Sequence, residues 1–232
     1  MPAAKNKSIP NRLLAALPNN EYQELLPYLR EVPLNFGEVI YNPKDTIKEV
    51  YFPNGGIISL VAGAKEQSSL EVGMVGNEGM VGISVFLGVN SSTNRAVVQG
   101  TGSALRLRPS ALLRATRNGG AFTRILQRYT HSVLTQITQS AVCNQFHSID
   151  ARLARWLLMT QDRMADDEFQ LTQNFLSNML GVRREGVSIA AGELQRRKLI
   201  TYSRGRLRVL NRKGLEATSC DCYEYVRSEG LK

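Results

Sequence analysis

Features of several common protein classes are absent from this 232-residue sequence. It has no run of about 18 apolar residues, so no transmembrane helix and no membrane partner are predicted. The basic N-terminal stretch is not followed by an apolar segment, so a secretory signal is not predicted. The three cysteines are too few and too unevenly placed for a disulfide framework, which favours a reducing, cytoplasmic location.

Enzyme motifs are absent as well. The sequence has no metal-binding histidine pair, no glycine pattern of a nucleotide-binding loop and no nucleophile elbow. Since no residue can be assigned to catalysis, we expect a protein that is not an enzyme and that carries no cofactor.

Positive charge, by contrast, is in excess. The formal net charge is +9, and residues 183–213 contain ten lysines and arginines against two glutamates. A basic cluster attracts polyanions, but an ordinary solvated surface can have the same composition. The fold that carries the basic cluster is therefore needed to distinguish the two interpretations.

The N-terminal half predicts two short helices followed by antiparallel strands. Apolar residues recur at helical spacing over residues 11–30, and Pro18 separates two helices. From Pro33 to Leu107, short β-rich runs alternate with glycine, asparagine, proline and serine. This alternation is typical of an antiparallel sandwich or barrel.

A long helix is predicted over residues 121–146, where apolar residues step by three and four along one face. Residues 129–149 contain no Asp, Glu, Lys or Arg. Since a helix on the surface of a core normally keeps charges on its outer face, this segment is expected to pack against its own domain and a partner helix. A central helix in a monomeric core is the alternative. The expected dimer interface comprises Phe122, Tyr129, Val133, Ile137 and Ala141.

The C-terminal region predicts a helix-turn-helix followed by a β-hairpin. Thr172 suits the N-cap of a first helix, and Gly181 can adopt the left-handed conformation that ends it. A second helix then packs small residues inward, which is the spacing of a helix-turn-helix. The alternating segment around Arg204-Gly205 is typical of the wing of a winged helix.

The segment "GVRREGVS", residues 181–188, lies where the second helix begins. In a helix-turn-helix this end enters the major groove, where arginine can bind guanine and glutamate can accept from cytosine. Arg184 and Glu185 are therefore the predicted base readers, and a charged surface turn is the alternative. The predicted contacts to the DNA backbone are Thr172, Arg183, Ser188, Arg204 and Arg206.

These motifs resemble the bacterial Crp/Fnr superfamily over nearly the whole chain. The best match is "GVRREGVS", which is similar to the family's recognition helix and places Arg184 and Glu185 on its base-reading pair. A further family arginine falls on Ile189. The resemblance implies double-stranded DNA and a second copy of the chain as partners, with RNA polymerase as another candidate.

The sensor segment departs from the family's cyclic-nucleotide cassette. Gly82 is followed by Ile83 and Ser84 without the carboxylate that holds the ribose, and Arg95 lacks the following hydroxyl residue. Glu78, Gly82 and Arg95 remain the candidate effector pocket, with the effector unknown and cyclic AMP not expected. An iron–sulfur sensor would need N-terminal cysteines, and none precedes Cys143. Haem remains open, although both histidines of the sequence, His131 and His147, are assigned to the long dimerisation helix.

Cys143 and His147 are four residues apart and would share a helix face. Across a two-fold axis such pairs could form a Cys₂His₂ metal site, but interface packing is the more ordinary explanation, so no metal is predicted. Cys220 and Cys222 are interpreted as surface thiols without a function, with redox activity as the alternative.

The sequence therefore predicts an α+β protein in three parts. Residues 1–120 form an N-terminal antiparallel β-roll of jelly-roll type, 121–146 a long dimerisation helix, and 147–232 a C-terminal winged helix-turn-helix. The predicted function is a homodimeric regulator of transcription that binds an inverted-repeat operator. The alternatives are a cyclic-nucleotide-responsive regulator and a β-roll scaffold that binds RNA or an acidic protein.

Overall fold

A computed structural model describes residues 9–63, 69–164 and 167–229. The chain forms two compact units. The first contains the described residues up to Leu60 together with Met74–Leu134, and the second contains those of Val61–Gly73 and Thr135–Gly230. In the part of the chain that is described, no helix is long and apolar enough to span a membrane.

The first unit begins with helices and continues as a β-roll. Its elements are α1 (Arg12–Ala15), α2 (Asn19–Leu25), β1 (Arg30–Leu34), β2 (Val39–Tyr41), β3 (Val50–Gly63), β4 (Ser69–Val75), β5 (Arg95–Leu107) and α3 (Pro109–Thr116). The strands lie in the order β1-β5-β3-β4, and β2 also pairs with β5. The β1–β5 and β2–β5 pairs are antiparallel, as the alternating pattern predicts.

The long helix α4 runs from Ala121 to Phe146, the bounds that the sequence predicts. Its first half belongs to the first unit, where Glu21 of α2 accepts from the backbone N–H groups of Ala121 (2.9 Å) and Phe122 (2.8 Å). These free N–H groups would otherwise lack partners, so Glu21 caps the helix from a distant part of the sequence.

Two residues assigned to the dimer interface lie instead in the core of their own unit. Phe122 is fully buried and Tyr129 is 5% exposed, and both belong to the core cluster of the β-roll. The Tyr129 hydroxyl donates to the carbonyl of Met80 at 2.7 Å. A β-carbon on Gly79 would lie 2.6 Å from that hydroxyl, so the close approach of the ring requires glycine there. The apolar periodicity at Phe122 and Tyr129 therefore reflects packing in the core of the first unit. Their assignment to the dimer interface is wrong.

The second unit contains the second half of α4 and the winged helix-turn-helix. Its further elements are α5 (Ile149–Gln161), β6 (Glu168–Gln170), α6 (Gln173–Leu180), α7 (Arg184–Arg196), β7 (Ile200–Ser203), β8 (Arg206–Val209), α8 (Arg212–Thr218) and α9 (Cys222–Glu229). The strand order is β6-β8-β7, with both pairs antiparallel. The predicted fold class, a β-roll with a long helix and a winged helix-turn-helix, is confirmed.

The described residues of Val61–Gly73, at the end of β3 and the start of β4, are part of this second unit. The indole N–H of Trp156 on α5 donates to the Glu71 carboxylate at 3.0 Å. The boundary between the two units therefore falls within α4 and within β3 and β4, whereas the sequence predicts a boundary at residue 147. Strand periodicity alone carries no information about which unit the end of a strand packs against.

Candidate nucleic-acid interface

The turn between α6 and α7 is fixed by a glycine in a left-handed conformation. Gly181 has φ 61° and ψ 40°, and the N–H of Val182 donates to the carbonyl of Ser177 at 3.0 Å. At the other end of α6, the Thr172 hydroxyl accepts from the N–H of Phe175 at 3.1 Å. Thr172 is therefore an N-cap, and the helix bounds follow from local backbone chemistry.

Helix α7, the second helix of the helix-turn-helix, has one buried and one exposed face. Val187, Ala190, Ala191 and Leu194 are buried, and the small alanines suit a close crossing with neighbouring helices. Glu185, Ser188 and Ile189 lie on the exposed side, where Ile189 is 75% exposed. An aliphatic side chain this exposed in the middle of a surface helix offers an apolar contact to a partner.

Arg184 is the first residue of α7, and its side chain is held by a polar chain that the sequence analysis missed. Its Nε donates to the side-chain oxygen of Gln173 at 3.2 Å, and the Gln173 amide donates to the Ser188 hydroxyl at 3.4 Å. Two predicted contact residues are thus linked through Gln173. Gln173 directly follows the predicted N-cap of α6, and this position in the sequence is the signal that could have identified it.

The wing is a tight hairpin with a two-residue turn. Arg204 (φ 50°) and Gly205 (φ 76°) both have positive φ, as a type I′ turn requires. The Tyr202 hydroxyl donates to the carbonyl of Leu171 at 2.8 Å, and the Leu171 N–H donates to the carbonyl of Gly205 at 2.7 Å. Partial burial raises the pKa of Tyr202, which keeps the hydroxyl protonated as a donor. These bonds fix the wing against the start of α6.

Charge on this surface is divided between paired and free cations. Ion pairs join Arg196 to Glu193 (2.7 Å), Arg208 to Glu168 (2.9 Å) and Arg212 to Asp162 (2.7 Å). The hydrogen bond from Arg196 lowers the pKa of Glu193, so that exposed pair stays ionised. Not every cation of the basic cluster is therefore available to a polyanion.

The arginines predicted to contact DNA are among the cations of this cluster that have no acidic partner in the described residues. Arg183, Arg184, Arg204 and Arg206 are exposed, and across the described ranges none forms an ion pair. A cleft of about 590 Å³ lies between the start of α6, Arg184 and the wing. Its lining includes Thr172, Gln173, Arg184, Tyr202, Arg204 and Gly205. The second unit thus presents a concavity bordered by arginines that have no acidic partner in the described residues.

The predicted effector residues lie in the first unit and have local structural roles. The Glu78 carboxylate accepts from the N–H of Gly76 at 3.2 Å within its own turn. Gly82 has φ 95° and precedes the short 3-10 helix Ile83–Val85, and a β-carbon there would lie 2.9 Å from Val50. Arg95 is the first residue of β5. Glu78 and Gly82 therefore serve the β-roll itself.

The structure corrects the interpretation of the cysteines. Cys222 is 4% exposed, Cys220 is half-buried, and both lie with Cys143 and His147 in one cluster of the second unit. They are not surface thiols. The cluster was not predicted because the two pairs are far apart in the chain, and only the spacing of Cys143 and His147 pointed to a metal site.

Comparison with known proteins supports the architecture. Residues 151–218 match the Crp-like helix-turn-helix domain family, whereas no curated protein sequence matches the chain. FixK2 from Bradyrhizobium japonicum is 18% identical, with a TM-score of 0.70 over 83% of this chain and 98% of its own.

Two further solved structures have the same fold. A CRP/FNR-family transcriptional regulator from Thermus thermophilus is 19% identical, with a TM-score of 0.66 over 82% of this chain and 98% of its own. The c-di-GMP-responsive global regulator CLP from Xanthomonas campestris is 15% identical, with a TM-score of 0.65 over the same shares of the two chains. Residues 151–218 are therefore a Crp-like helix-turn-helix domain, and the chain has the fold of the Crp/Fnr regulators.

Proposed function

We propose that this protein is a non-enzymatic, cytoplasmic, homodimeric regulator of transcription that binds double-stranded DNA. The observation that carries the proposal is the surface of the second unit. There the exposed start of α7 and the wing present Arg183, Arg184, Arg204 and Arg206, which have no acidic partner among the residues that the structure describes. A polyanion would neutralise these charges and release its counterions.

Base recognition is assigned to the exposed side of α7. Arg184 can donate two hydrogen bonds to guanine, and Glu185 can accept from the amino group of cytosine. Ile189 lies one turn after Glu185 and is exposed, so its methyl groups suit the methyl group of thymine. Because the Crp/Fnr resemblance implies arginine at this position, we expect an operator that differs from that of the cyclic-AMP receptor protein.

Backbone contacts are assigned to residues around the reading helix and on the wing. Arg183 precedes α7, Ser188 is exposed on it, and Arg204 and Arg206 lie at the wing turn. Thr172 borders the same cleft. Such contacts fix the position of a protein on the duplex without reading its sequence.

Dimerisation is assigned to the second half of α4. Leu134 (59%), Val142 (39%) and Phe146 (75%) are exposed there, Ala141 is also exposed, and Ile137 is half-buried. No charged residue interrupts this apolar surface. A second copy would cover it, and the two recognition helices would read half-sites roughly 34 Å apart.

Cyclic AMP is not expected to control the protein. The position after Gly82 has no carboxylate for the ribose, and Glu78 is engaged in its own turn. An unpaired sugar hydroxyl in a closed site would cost about 1–3 kcal/mol. The effector, if the β-roll has one, therefore has a different chemistry, and RNA polymerase remains a candidate partner of a DNA-bound regulator.

The proposal is tested by selecting a duplex from a random pool and measuring affinity for the selected and a random duplex at several salt concentrations. Arg184→Ala should weaken binding to the selected duplex by about 1–3 kcal/mol and lower the ratio of the two affinities. Arg206→Ala should weaken binding to both duplexes equally and reduce the salt slope by about one.

Arg197→Ala is the matched control, because Arg197 is an exposed arginine at the far end of α7. It should leave the affinity ratio unchanged. If Arg184→Ala also leaves that ratio unchanged, the helix does not read bases. If selection yields no preferred duplex while single-stranded RNA is bound with higher affinity, the DNA-binding proposal is overturned.

A further inference from the structure

Two pairs of potential metal ligands meet in the second unit. Cys143 and His147 lie one helical turn apart at the end of α4, where the N–H of His147 donates to the carbonyl of Cys143 at 3.2 Å. Cys220 and Cys222 flank the residue before α9. The pairs are about 75 residues apart in sequence, since His147 and Cys222 are separated by 75 positions. Folding alone brings them together.

The four side chains have the spacing of a tetrahedral metal site. The Sγ atoms of Cys143 and Cys220 are 3.5 Å apart, and the Cys222 Sγ lies 3.6 Å from the His147 Nδ1. All four potential ligand atoms lie within 4.8 Å of one another. With Zn–S bonds of about 2.3 Å and Zn–N bonds of about 2.0 Å, the edges of a tetrahedron are about 3.8 Å (S to S) and 3.5 Å (S to N). The cluster needs only small side-chain adjustments to reach these edges.

A disulfide explains the cluster less completely. All three cysteines are free thiols, and the Cys143–Cys220 separation of 3.5 Å is far from the roughly 2.05 Å of an S–S bond. A disulfide would use two of the sulfur atoms and leave Cys222 and His147 without a role. Four ligands around one point account for all four residues.

Charge around the cluster provides a second, independent argument. Arg152 (8% exposed) and Arg155 (9% exposed) are buried on α5, and neither is paired with a carboxylate anywhere in the described residues. Arg155 donates to the Ser140 hydroxyl at 3.3 Å, and Arg152 to the carbonyl of Leu180. These bonds satisfy part of each guanidinium but do not compensate its charge.

Three thiolates and one Zn²⁺ ion carry a net charge of −1, which would compensate a buried cation. The buried cations therefore favour thiolate ligands, the form that binds metals.

We propose that Cys143, His147, Cys220 and Cys222 bind one Zn²⁺ ion in a closed tetrahedral site. Three sulfur ligands and one imidazole are a donor set that zinc uses in structural sites, in contrast to the open position of catalytic ones. The ion would fasten the start of α9 to the last turn of α4. Both pairs lie in the same compact unit. The proposal does not depend on DNA binding, because none of the four ligands is assigned to a contact with DNA.

The test uses the full-length chain without an affinity tag, purified anaerobically with a reductant that does not bind metal. The metal is removed by a chelator, and the protein is titrated with Zn²⁺ in competition with a chromophoric chelator and separately with Co²⁺. We expect one ion per chain and, for Co²⁺, the absorption of a tetrahedral thiolate complex. Absence of stoichiometric binding by the reduced, folded protein would overturn the proposal.

Variants locate the ion. His147→Ala and Cys220→Ser should each weaken Zn²⁺ binding by about 100-fold or more, because each removes one of four ligands. Cys220 is only half-buried and His147 lies beyond the end of α4, so both variants are expected to keep the helical circular dichroism spectrum.

His131→Ala is the matched control, since His131 is the other histidine of the chain and is exposed on α4. The affinity of the His131→Ala variant for Zn²⁺ should equal that of the unsubstituted protein. If His131→Ala weakens binding as much as His147→Ala, or if neither does, the ion does not occupy this site. A Cys143–Cys220 disulfide that forms in air and whose reduction yields no zinc uptake would likewise refute the proposal.

Discussion

The two halves of α4 are continuous in the chain but have opposite surroundings. In the first half, Phe122, Ile125, Leu126 and Tyr129 are buried in the β-roll, and the outer face carries Arg124 and Arg128. In the second half, large apolar side chains are exposed, and the outer face has no charge. Regular apolar spacing therefore reflects core packing in the first half, whereas the loss of outer charge is the basis for the partner proposed for the second half.

The largest expected effect tests the buried half. Phe122→Ala removes a ring that is fully buried, and the cavity should cost about 3–5 kcal/mol in the free energy of unfolding of the first unit, measured with urea. Arg124→Ala, on the exposed side of the same turn, should change it by less than about 0.5 kcal/mol. If Phe122→Ala dissociated a dimer without destabilising the fold, the assignment of this half to the core would be wrong.

The next effect tests the exposed half. Leu134→Asp places two like charges near the proposed two-fold axis and should raise the dimer dissociation constant about 100-fold, which is about 2.7 kcal/mol. Sedimentation velocity across a concentration series measures this shift. Leu134→Ala should have a smaller effect, and both variants should retain the helical spectrum. A dimer unaffected by Leu134→Asp would place the interface elsewhere.

A smaller effect concerns the start of α4. Glu21→Ala removes the carboxylate that accepts from two N–H groups of the first turn, so the first unit should lose about 1–2 kcal/mol of unfolding free energy. Glu24→Ala is the control on the same helix, because Glu24 is exposed. Equal urea midpoints for the two variants would show that the distant cap contributes nothing to stability.

The smallest effect lies near the junction of the halves. Tyr129→Phe keeps the buried ring but removes the hydrogen bond to Met80, and about 1 kcal/mol of stability should be lost. Tyr225→Phe serves as the comparison, since Tyr225 is 54% exposed. If Tyr129→Phe changed dimerisation but not stability, the boundary between the buried and exposed halves of α4 would lie closer to the N-terminus than we assign it.

Local patterns were sufficient to predict much of this molecule. Helix α4 has the predicted bounds, Thr172 and Gly181 mark the ends of α6, and Arg204-Gly205 forms the turn of the wing. Each of these features depends on residues close together in the sequence, through caps, periodicity or backbone conformation. Such signals can be recognised without knowledge of tertiary contacts.

Long-range features could not be predicted in this way. The cysteine–histidine cluster joins residues 77 positions apart, and Trp156 binds Glu71 across 85 positions. Likewise, the pattern of Phe122 and Tyr129 shows that one helix face is apolar but not which surface covers it. A single sequence shows which residues could take part in such a contact, but it does not show which of them pair in the fold.

The cluster also has a consequence for the unfolded chain. Because Cys143 meets Cys220, nearly the whole winged helix-turn-helix lies inside one closed loop with a sequence separation of 77 residues. If the proposed Zn²⁺ ion stayed bound in the unfolded chain, this cross-link would reduce the conformational entropy of the denatured ensemble, by roughly 4.5 kcal/mol for a loop of this length under the relation for covalent cross-links. The proposed DNA-reading surface would then gain stability from the restricted freedom of its own unfolded state, without any new contact at that surface.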